Sequence, residues 1–316
     1  MKLKPIVPFE PVSTDKIPGG DNWIAQIKWY GVRVLTYYDG HEVKLYNRKL
    51  NERTFHYPEL TEIKSYCKAN SVILDGEVLA LNNEGRVSFH AVMRRDGLRR
   101  LERVKQVQKE VPVIYMIFDV IYFNGQWINE WDLEKRMEIL SDIIIPKENI
   151  QLVNSYRDKE NLFNVIVQKE MEGVVIKDLR SKYLIGGKNS QWQKKKNYQD
   201  IVAAVGGATL RDGIVNALLL GMEDNKGNLW YIGHAGTGKL SKQDWQQLTQ
   251  IIKPLIQEHM PFINKPERVK ETIWLKPRIK VKVQYIEWTE GYTLRQPSIQ
   301  AFVNESPDRY PFAERT

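Results

Sequence analysis

Lys28 is the residue of this 316-residue sequence whose surroundings best suit chemistry. It lies in Gln26-Ile27-Lys28-Trp29-Tyr30-Gly31-Val32-Arg33, where an apolar run meets a hairpin. A lysine amine is a nucleophile only when its neutral form is populated, through desolvation or nearby positive charge. A glycine three residues on lets a bulky substrate approach the backbone. Alone, K-x-x-G is a weak pattern, met most often as a surface lysine beside a turn. Four segments follow it in order. Ile73-Leu74-Asp75-Gly76-Glu77 places carboxylates at a break in an apolar run, and Ile117-Phe118-Asp119-Val120 offers an aromatic ring. Glu172-Gly173-Val174-Val175-Ile176-Lys177 opens a strand with a carboxylate, and Trp192-Gln193-Lys194-Lys195-Lys196 gathers three ammonium groups. A nucleotide site needs these parts: carboxylates for a metal, an aromatic and an aliphatic side chain for the base, and cations for phosphates.

The elements that must carry these residues follow from apolar periodicity. Residues 23–46 read as β structure around Asp39-Gly40, a two-residue hairpin signal. Residues 58–68 read as a helix with Leu60, Ile63 and Cys67 on one face. Residues 72–74 and 78–81 read as strand pieces on either side of the acidic break. A charged helix is expected over 94–110, a strand over 111–123, an amphipathic helix around Leu133, Met137 and Leu140, and another around 163–167. Residues 179–199, basic and glycine-containing, read as a loop. Beyond Asp200, strand-like runs at 201–205, 216–222, 229–233 and 279–288 surround one helical stretch, 243–259, which Pro254 kinks or ends early. Short strands with one helix fit a small Greek-key barrel, so the boundary is placed near Asp200, giving domains 1–200 and 201–316.

The bulk numbers agree with a nucleic-acid partner without requiring one. A formal charge of +8 and a pI of about 9.2 suit attraction to a polyanion, though a merely basic enzyme has the same surplus. Hydrophobic residues at 42% are enough for real cores. Cys67 is the only cysteine, which excludes a disulfide scaffold. No apolar run approaches the ~18 residues of a bilayer span, and nothing resembles a cleavable signal peptide, so the default compartment is cytoplasmic.

The order and spacing of the segments resemble the motifs of the covalent nucleotidyltransferase superfamily, specifically ATP-dependent DNA ligases. Those motifs run K-x-D-G-x-R, an S-R-N-G-like arginine, L-D-G-E, an aromatic-Asp pair, E-G-V-x-x-K and W-x-K-x-K. Asn216-Ala217-Leu218-Leu219-Leu220-Gly221, His234-Ala235-Gly236-Thr237-Gly238 and Thr293-Leu294-Arg295-Gln296-Pro297-Ser298 are similar to the OB domain of bacterial repair ligases. The likeness covers about residues 20–302. It implies an α+β nucleotidyltransferase (ATP-grasp-like ligase) domain followed by an all-β OB-fold domain that binds DNA. It also implies ATP with Mg²⁺ or Mn²⁺, nicked double-stranded DNA as partner, a monomer, and work in DNA repair and recombination.

Residue by residue, the resemblance implies that Lys28 attacks the α-phosphorus of ATP and holds AMP as a phosphoramidate. Gln26 and the main chain of Ile27 would read the adenine edge. Phe118 would stack on one face of the base with Val175 beneath the other, although core packing is the default for a phenylalanine in an apolar strand. Arg33 and Arg48 would contact ribose, or phosphate of the nucleotide or nick. Glu77 and Glu172 would hold ribose or a divalent metal, and Lys194 and Lys196 would clamp the α-phosphate. Asp75 would shape the strand break, while Asp119 and His90 are expected to be structural. Arg180, Lys182 and Lys188, with Arg94, Arg95, Arg99 and Arg100, form either a solvated face or a set of DNA phosphate contacts, the latter preferred in a chain that must hold a nicked duplex. Lys195, pointing away from its neighbours in an extended stretch, is solvated or on DNA phosphate.

Two departures stand out. Tyr30 occupies the position where the motif has aspartate; a neutral phenol, with a pKa of about 10, cannot organise metal-bound water as a carboxylate does. On the sequence alone, slower adenylylation is expected and Tyr30→Asp should raise sealing. The C-terminal R-x-D-K motif is also missing: Ala301-Phe302-Val303-Asn304-Glu305-Ser306 stands there, with Lys280 and Lys282 as the available substitutes. The rival readings are a nick-binding ligase variant impaired in catalysis, and an RNA ligase or capping-type nucleotidyltransferase.

Overall fold

The computed structural model describes residues 3–82, 85–236, 238–267, 269 and 271–313, so Thr237 of the OB-like segment lies outside the described residues. The chain divides into two compact units, one ending at Lys196 and the other beginning at Asn197.

The first unit is built on two sheets. In one, the strand order is Glu10–Ser13, Lys188–Lys196, Gly173–Asp178, Trp23–Ile27 and Ser155–Tyr156. In the other, Val43–Asn47, Val32–Tyr38, Val72–Ala80 and Val113–Phe123 are successive antiparallel neighbours, with Gln126–Trp127 and Ile150–Leu152 on the last. Side-chain alternation assigns the faces. Ala25, Val174 and Ile176 pack on Leu162 and Ile166 of the helix Lys159–Gln168. Ile24 and Trp192 turn the other way and join Phe9, Leu35, Tyr37, Ile73 and Tyr183 in the core between the sheets. The far face of the second sheet, including Val34, Leu74, Val78 and Ile117, is covered by Leu60, Val92, Val107 and Leu140.

Several local expectations need correction. Val72–Ala80 is one uninterrupted strand; Asp75-Gly76-Glu77 marks only a register shift against Val113–Phe123. Gly76 is needed there because a Cβ would lie 2.4 Å from the Tyr115 ring. Residues 58–68 form two single 3₁₀ turns, Pro58–Leu60 and Ile63–Ser65, whose buried Leu60 and Ile63 suit a three-residue period as well as a helical one. The expected helix 94–110 is two helices, Phe89–Asp96, capped by the Ser88 side chain, and Val104–Glu110. Residues 188–196 are a strand; polar on both faces except for Trp192, they show no apolar alternation.

The second unit is a closed barrel. Gln199–Arg211 pairs with Ile214–Glu223, which pairs with Leu229–Ala235. On its other edge Gln199–Arg211 pairs with Lys280–Tyr285, followed by Ser298–Phe302. A bridge from Gly238 to Ile299 closes the ring. Only glycine fits that closure: φ is +146°, and a Cβ would stand 1.9 Å from the Ile299 carbonyl oxygen. The helix Lys242–Ile251 starts on a Ser241/Asp244 capping box, and Leu248 and Ile252 enter the barrel core. Pro254 follows in a 3₁₀ turn, so the helix ends early, as its position demands. Thr272–Leu275 and Ser298–Phe302 are strands not expected from the sequence. This is an OB fold. Among the described residues no helix is long and apolar enough to cross a membrane.

Candidate active site

The first sheet presents its candidate residues in three rows. Ile24, Lys177 and Trp192 lie side by side, then Gln26, Val175 and Lys194, because opposed residues of antiparallel strands share a face. One step further Lys28 N donates to the Gly173 carbonyl at 2.9 Å, and Gly173 pairs with Lys196. The rows thus pass from a buried lysine between an isoleucine and a tryptophan, through an aliphatic side chain between an amide and a lysine, to two lysines on either side of a glycine. Gly173 can have no side chain: φ is +148° and a Cβ would lie 2.2 Å from Lys195 O.

Lys28 Nζ lies 2.7 Å from Glu172 Oε1, with the lysine side chain 22% exposed and the glutamate 6%. Glu77, on the facing sheet and directly opposite Arg33, feels the same charges. Burial pushes its carboxyl up to about 7, against the pull of Lys28 and Arg33, and Glu172 adds repulsion. Lys194 and Lys196 are each lowered from the ordinary lysine value, first by burial and then by Lys28. Four charged groups, Lys28, Glu172, Lys194 and Lys196, therefore sit within one electrostatic neighbourhood with Glu77. Gly31 is required by packing inside the protein, not by substrate approach: a Cβ there would be 2.2 Å from the Val78 carbonyl oxygen.

Gln26 is buried and its Nε2 donates to Ser155 Oγ at 3.0 Å. Val175 and Ile27 are half-buried. Phe118 is half-buried, with Lys177 Nζ 4.4 Å and Arg33 Cζ 5.3 Å from its ring centroid. Arg33 is committed to a buried pair: Nε and Nη2 reach Asp75 at 2.9 and 2.6 Å, and Tyr183 donates to the same carboxylate. Burial alone would lower the Arg33 guanidinium, but Asp75 and Tyr183 outweigh it and hold it well above its ordinary value. Asp75 thus anchors Arg33 instead of breaking a strand. Arg48 is exposed in the turn after Val43–Asn47, close enough to repel Lys194. Asp119 accepts two hydrogen bonds from Arg136, both residues fully buried. The Tyr30 ring stacks on Phe89, centroids 5.2 Å apart and planes at 17°.

The expected DNA contacts separate into two kinds. Arg180, Lys188, Arg99 and Arg100 are exposed, as are Arg94, paired with Glu110 at 2.8 Å, and Lys182, paired with Asp132 at 2.6 Å. Arg95 does not fit the expectation of a surface contact: it is fully buried, ion-paired with Glu59 at 2.9 Å, and donates to the carbonyls of Val111 and His56. Its place on the inner side of the helix Phe89–Asp96 decides this. Lys195 lies on the sheet face opposite Lys194, 4.8 Å over the Phe163 ring, and donates to the Asp15 carbonyl.

Sequence reasoning gave no role to Lys177, Tyr183 or Ser155. Lys177 is 2% exposed, and among the described residues its Nζ meets no hydrogen-bond partner but sits 4.0 Å from the Trp192 ring centroid as well as near Phe118. Burial pushes its ammonium down to about 7, against the pull of the buried Asp119 and Asp75 carboxylates. The lysine in a run of apolar strand residues was the available signal; for Ser155 there was none.

For a divalent ion, the described residues hold no cluster of three or more acidic, His or Cys ligands. Glu77 and Glu172 still fit a Mg²⁺ or Mn²⁺ site of the kind completed by substrate phosphate and water, since their oxygens are hard donors and Glu77 is a carboxyl that added positive charge would ionise.

The two-sheet unit, the lysine at the strand end and the OB barrel define a nucleotidyltransferase domain joined to an OB-fold domain. A family profile described as "ATP dependent DNA ligase domain" matches residues 12–196, and "ATP dependent DNA ligase C terminal region" matches 211–304. The chain belongs to the ATP-dependent DNA ligase family. A DNA ligase of Nitrosopumilus maritimus is 28% identical over 310 residues, covering 89% of this chain and 52% of the relative. This chain spans about half the length of the curated relatives it matches. Mycobacterial DNA ligase D, solved with ATP, is 25% identical with a TM-score of 0.51, covering 98% of this chain and 97% of that one. A Lig E DNA ligase shares the fold at 15% identity and a TM-score of 0.60, covering 93% and 99%.

Proposed function

We propose that this chain seals 3′-OH/5′-phosphate nicks in duplex DNA with ATP, through a lysyl-AMP on Lys28 and an adenylylated DNA 5′ end. The observation that carries the reading is the Lys28–Glu172 contact of 2.7 Å beside Lys194 and Lys196, one row from Gln26 and Val175. Lys28 Nζ forms the bond to the α-phosphorus and pyrophosphate leaves with the electron pair of the broken P–O bond. Glu172 Oε1 stands where it can accept the proton that Nζ loses. Lys194 and Lys196 stabilise the negative charge that grows on the α-phosphate. Gln26 and the Ile27 main chain meet the adenine edge, with Val175 and Phe118 against its faces; Arg48 reaches phosphate, and Arg33 keeps the pocket wall in place through Asp75. Glu77 and Glu172 would hold the Mg²⁺ or Mn²⁺, which screens the phosphates when bound. AMP then passes to the DNA 5′-phosphate, freeing Lys28, and the 3′-OH displaces AMP as the phosphodiester forms.

The residues from Asn197 onward, together with Arg94, Arg180, Lys182 and Lys188, would hold the duplex by its phosphates. A 5′-labelled nicked duplex incubated with the chain, ATP and Mg²⁺ tests the reading: a longer product is expected, and bound but unsealed nicks would leave the impaired nick-binding variant. GTP in place of ATP separates the capping-type alternative, and a nicked RNA the RNA-ligase one.

A further inference from the structure

We propose that Tyr30 is a positioning residue whose ring, stacked on Phe89, locks the turn 28–31 and so aims Lys28 at Glu172. The proposal rests on the reading of Lys28 as the nucleophile. The turn runs from one sheet to the other and is fixed at both ends. Lys28 N is bonded to the Gly173 carbonyl, and Gly31 is pressed against the Val78 carbonyl so closely that no Cβ fits. Only Trp29 and Tyr30 lie between, so the orientation of the turn is set by what their side chains meet.

The Tyr30 ring meets Phe89 nearly parallel, at 5.2 Å and 17°. Phe89 is itself a fixed point. It is the first residue of the helix Phe89–Asp96, whose cap Ser88 accepts from Ala91 N at 3.1 Å and donates its own N–H to Ala80 O at 2.9 Å. The stack therefore ties the nucleophile's turn to the end of Val72–Ala80, the strand that carries Glu77 and abuts Gly31. An aspartate, which the family motif has here, cannot reproduce this. Its charge would face the electron-rich side of the Phe89 ring, and the stacking contact would be lost. In this chain the geometry thus reverses the sequence-based expectation for Tyr30→Asp.

Single-turnover formation of lysyl-AMP at saturating ATP tests the proposal on the full chain, with sealing of a pre-adenylylated nick and thermal unfolding measured alongside. Tyr30→Leu and Phe89→Leu should each slow adduct formation about tenfold, and the double variant about as much as either single one, since both remove one contact. Tyr30→Phe should return the rate to within about threefold of wild type, and Tyr30→Asp should stay slow. Sealing of the pre-adenylylated nick, which bypasses attack by Lys28, should change less than adduct formation. If wild type is adenylylated and Tyr30→Asp is as fast or faster, or the two leucine effects multiply, the proposal falls alone. A wild-type chain that forms no adduct overturns the nucleophile reading and this proposal with it.

Discussion

Lys28 Nζ and Glu172 Oε1 are 2.7 Å apart, one residue just past the end of its strand and the other immediately before the neighbouring strand. The contact is kept in register by the bond from Lys28 N to the Gly173 carbonyl, so backbone pairing places the carboxylate against the amine. Glu172→Gln preserves shape and removes both the charge and the proton acceptor. Single-turnover adenylylation should fall by about a hundredfold or more, the scale of a lost general base.

Gly31→Ala should be costly, because its Cβ would lie 2.2 Å from a backbone oxygen that cannot rotate away. A loss of about 3 kcal/mol in unfolding free energy is expected, with little adduct formed. Denaturant unfolding measures the first and ATP labelling the second.

Lys177 and Glu77 give opposite pH dependences. The Lys177 ammonium is lowered to about 7, so its contribution to stability is present above the unfolded lysine value and lost as pH falls through about 7. Glu77 is raised to about 7, so its contribution is present below the unfolded carboxylate value and lost as pH rises through about 7. Lys177→Met should therefore gain stability relative to wild type on going from about pH 10 to pH 6, by about 4 kcal/mol. Glu77→Gln should gain in the opposite direction, between about pH 5 and pH 8. Thermal unfolding across pH reads both.

Salt separates the exposed arginines and lysines from the buried one. Arg180→Ala and Lys188→Ala should each reduce the slope of log binding constant against log salt for nicked duplex by about one. Arg95→Met should leave that slope unchanged and instead lower stability by about 3 kcal/mol, since Glu59 would lose its buried partner.

Much of the first unit was legible because its chemistry is carried by residues that also define strands. Lys28, Glu77, Phe118 and Glu172 are each adjacent to, or within, an apolar run, and the runs are long enough to identify. Lys188–Lys196 was read as a loop because a strand with polar residues on both faces gives no alternation; its pairing with Gly173–Asp178 comes from the tertiary fold. Burial on a helix is equally invisible from composition: Arg94 and Arg95 are neighbours, yet one is at the surface and the other has no exposure. Arg33 and Asp75 are 42 positions apart, and nothing local announces that they satisfy each other. For Tyr30 the sequence shows only the departure from the motif's carboxylate, because its ring partner, Phe89, is still further away along the chain.

The most direct test is the intact mass of the chain after incubation with ATP and Mg²⁺, for wild type and Lys28→Ala. A gain of one AMP in the wild type, absent from Lys28→Ala, is the predicted result. No gain in the wild type, or an undiminished gain in Lys28→Ala, would contradict the assignment of Lys28 as the adenylylated nucleophile.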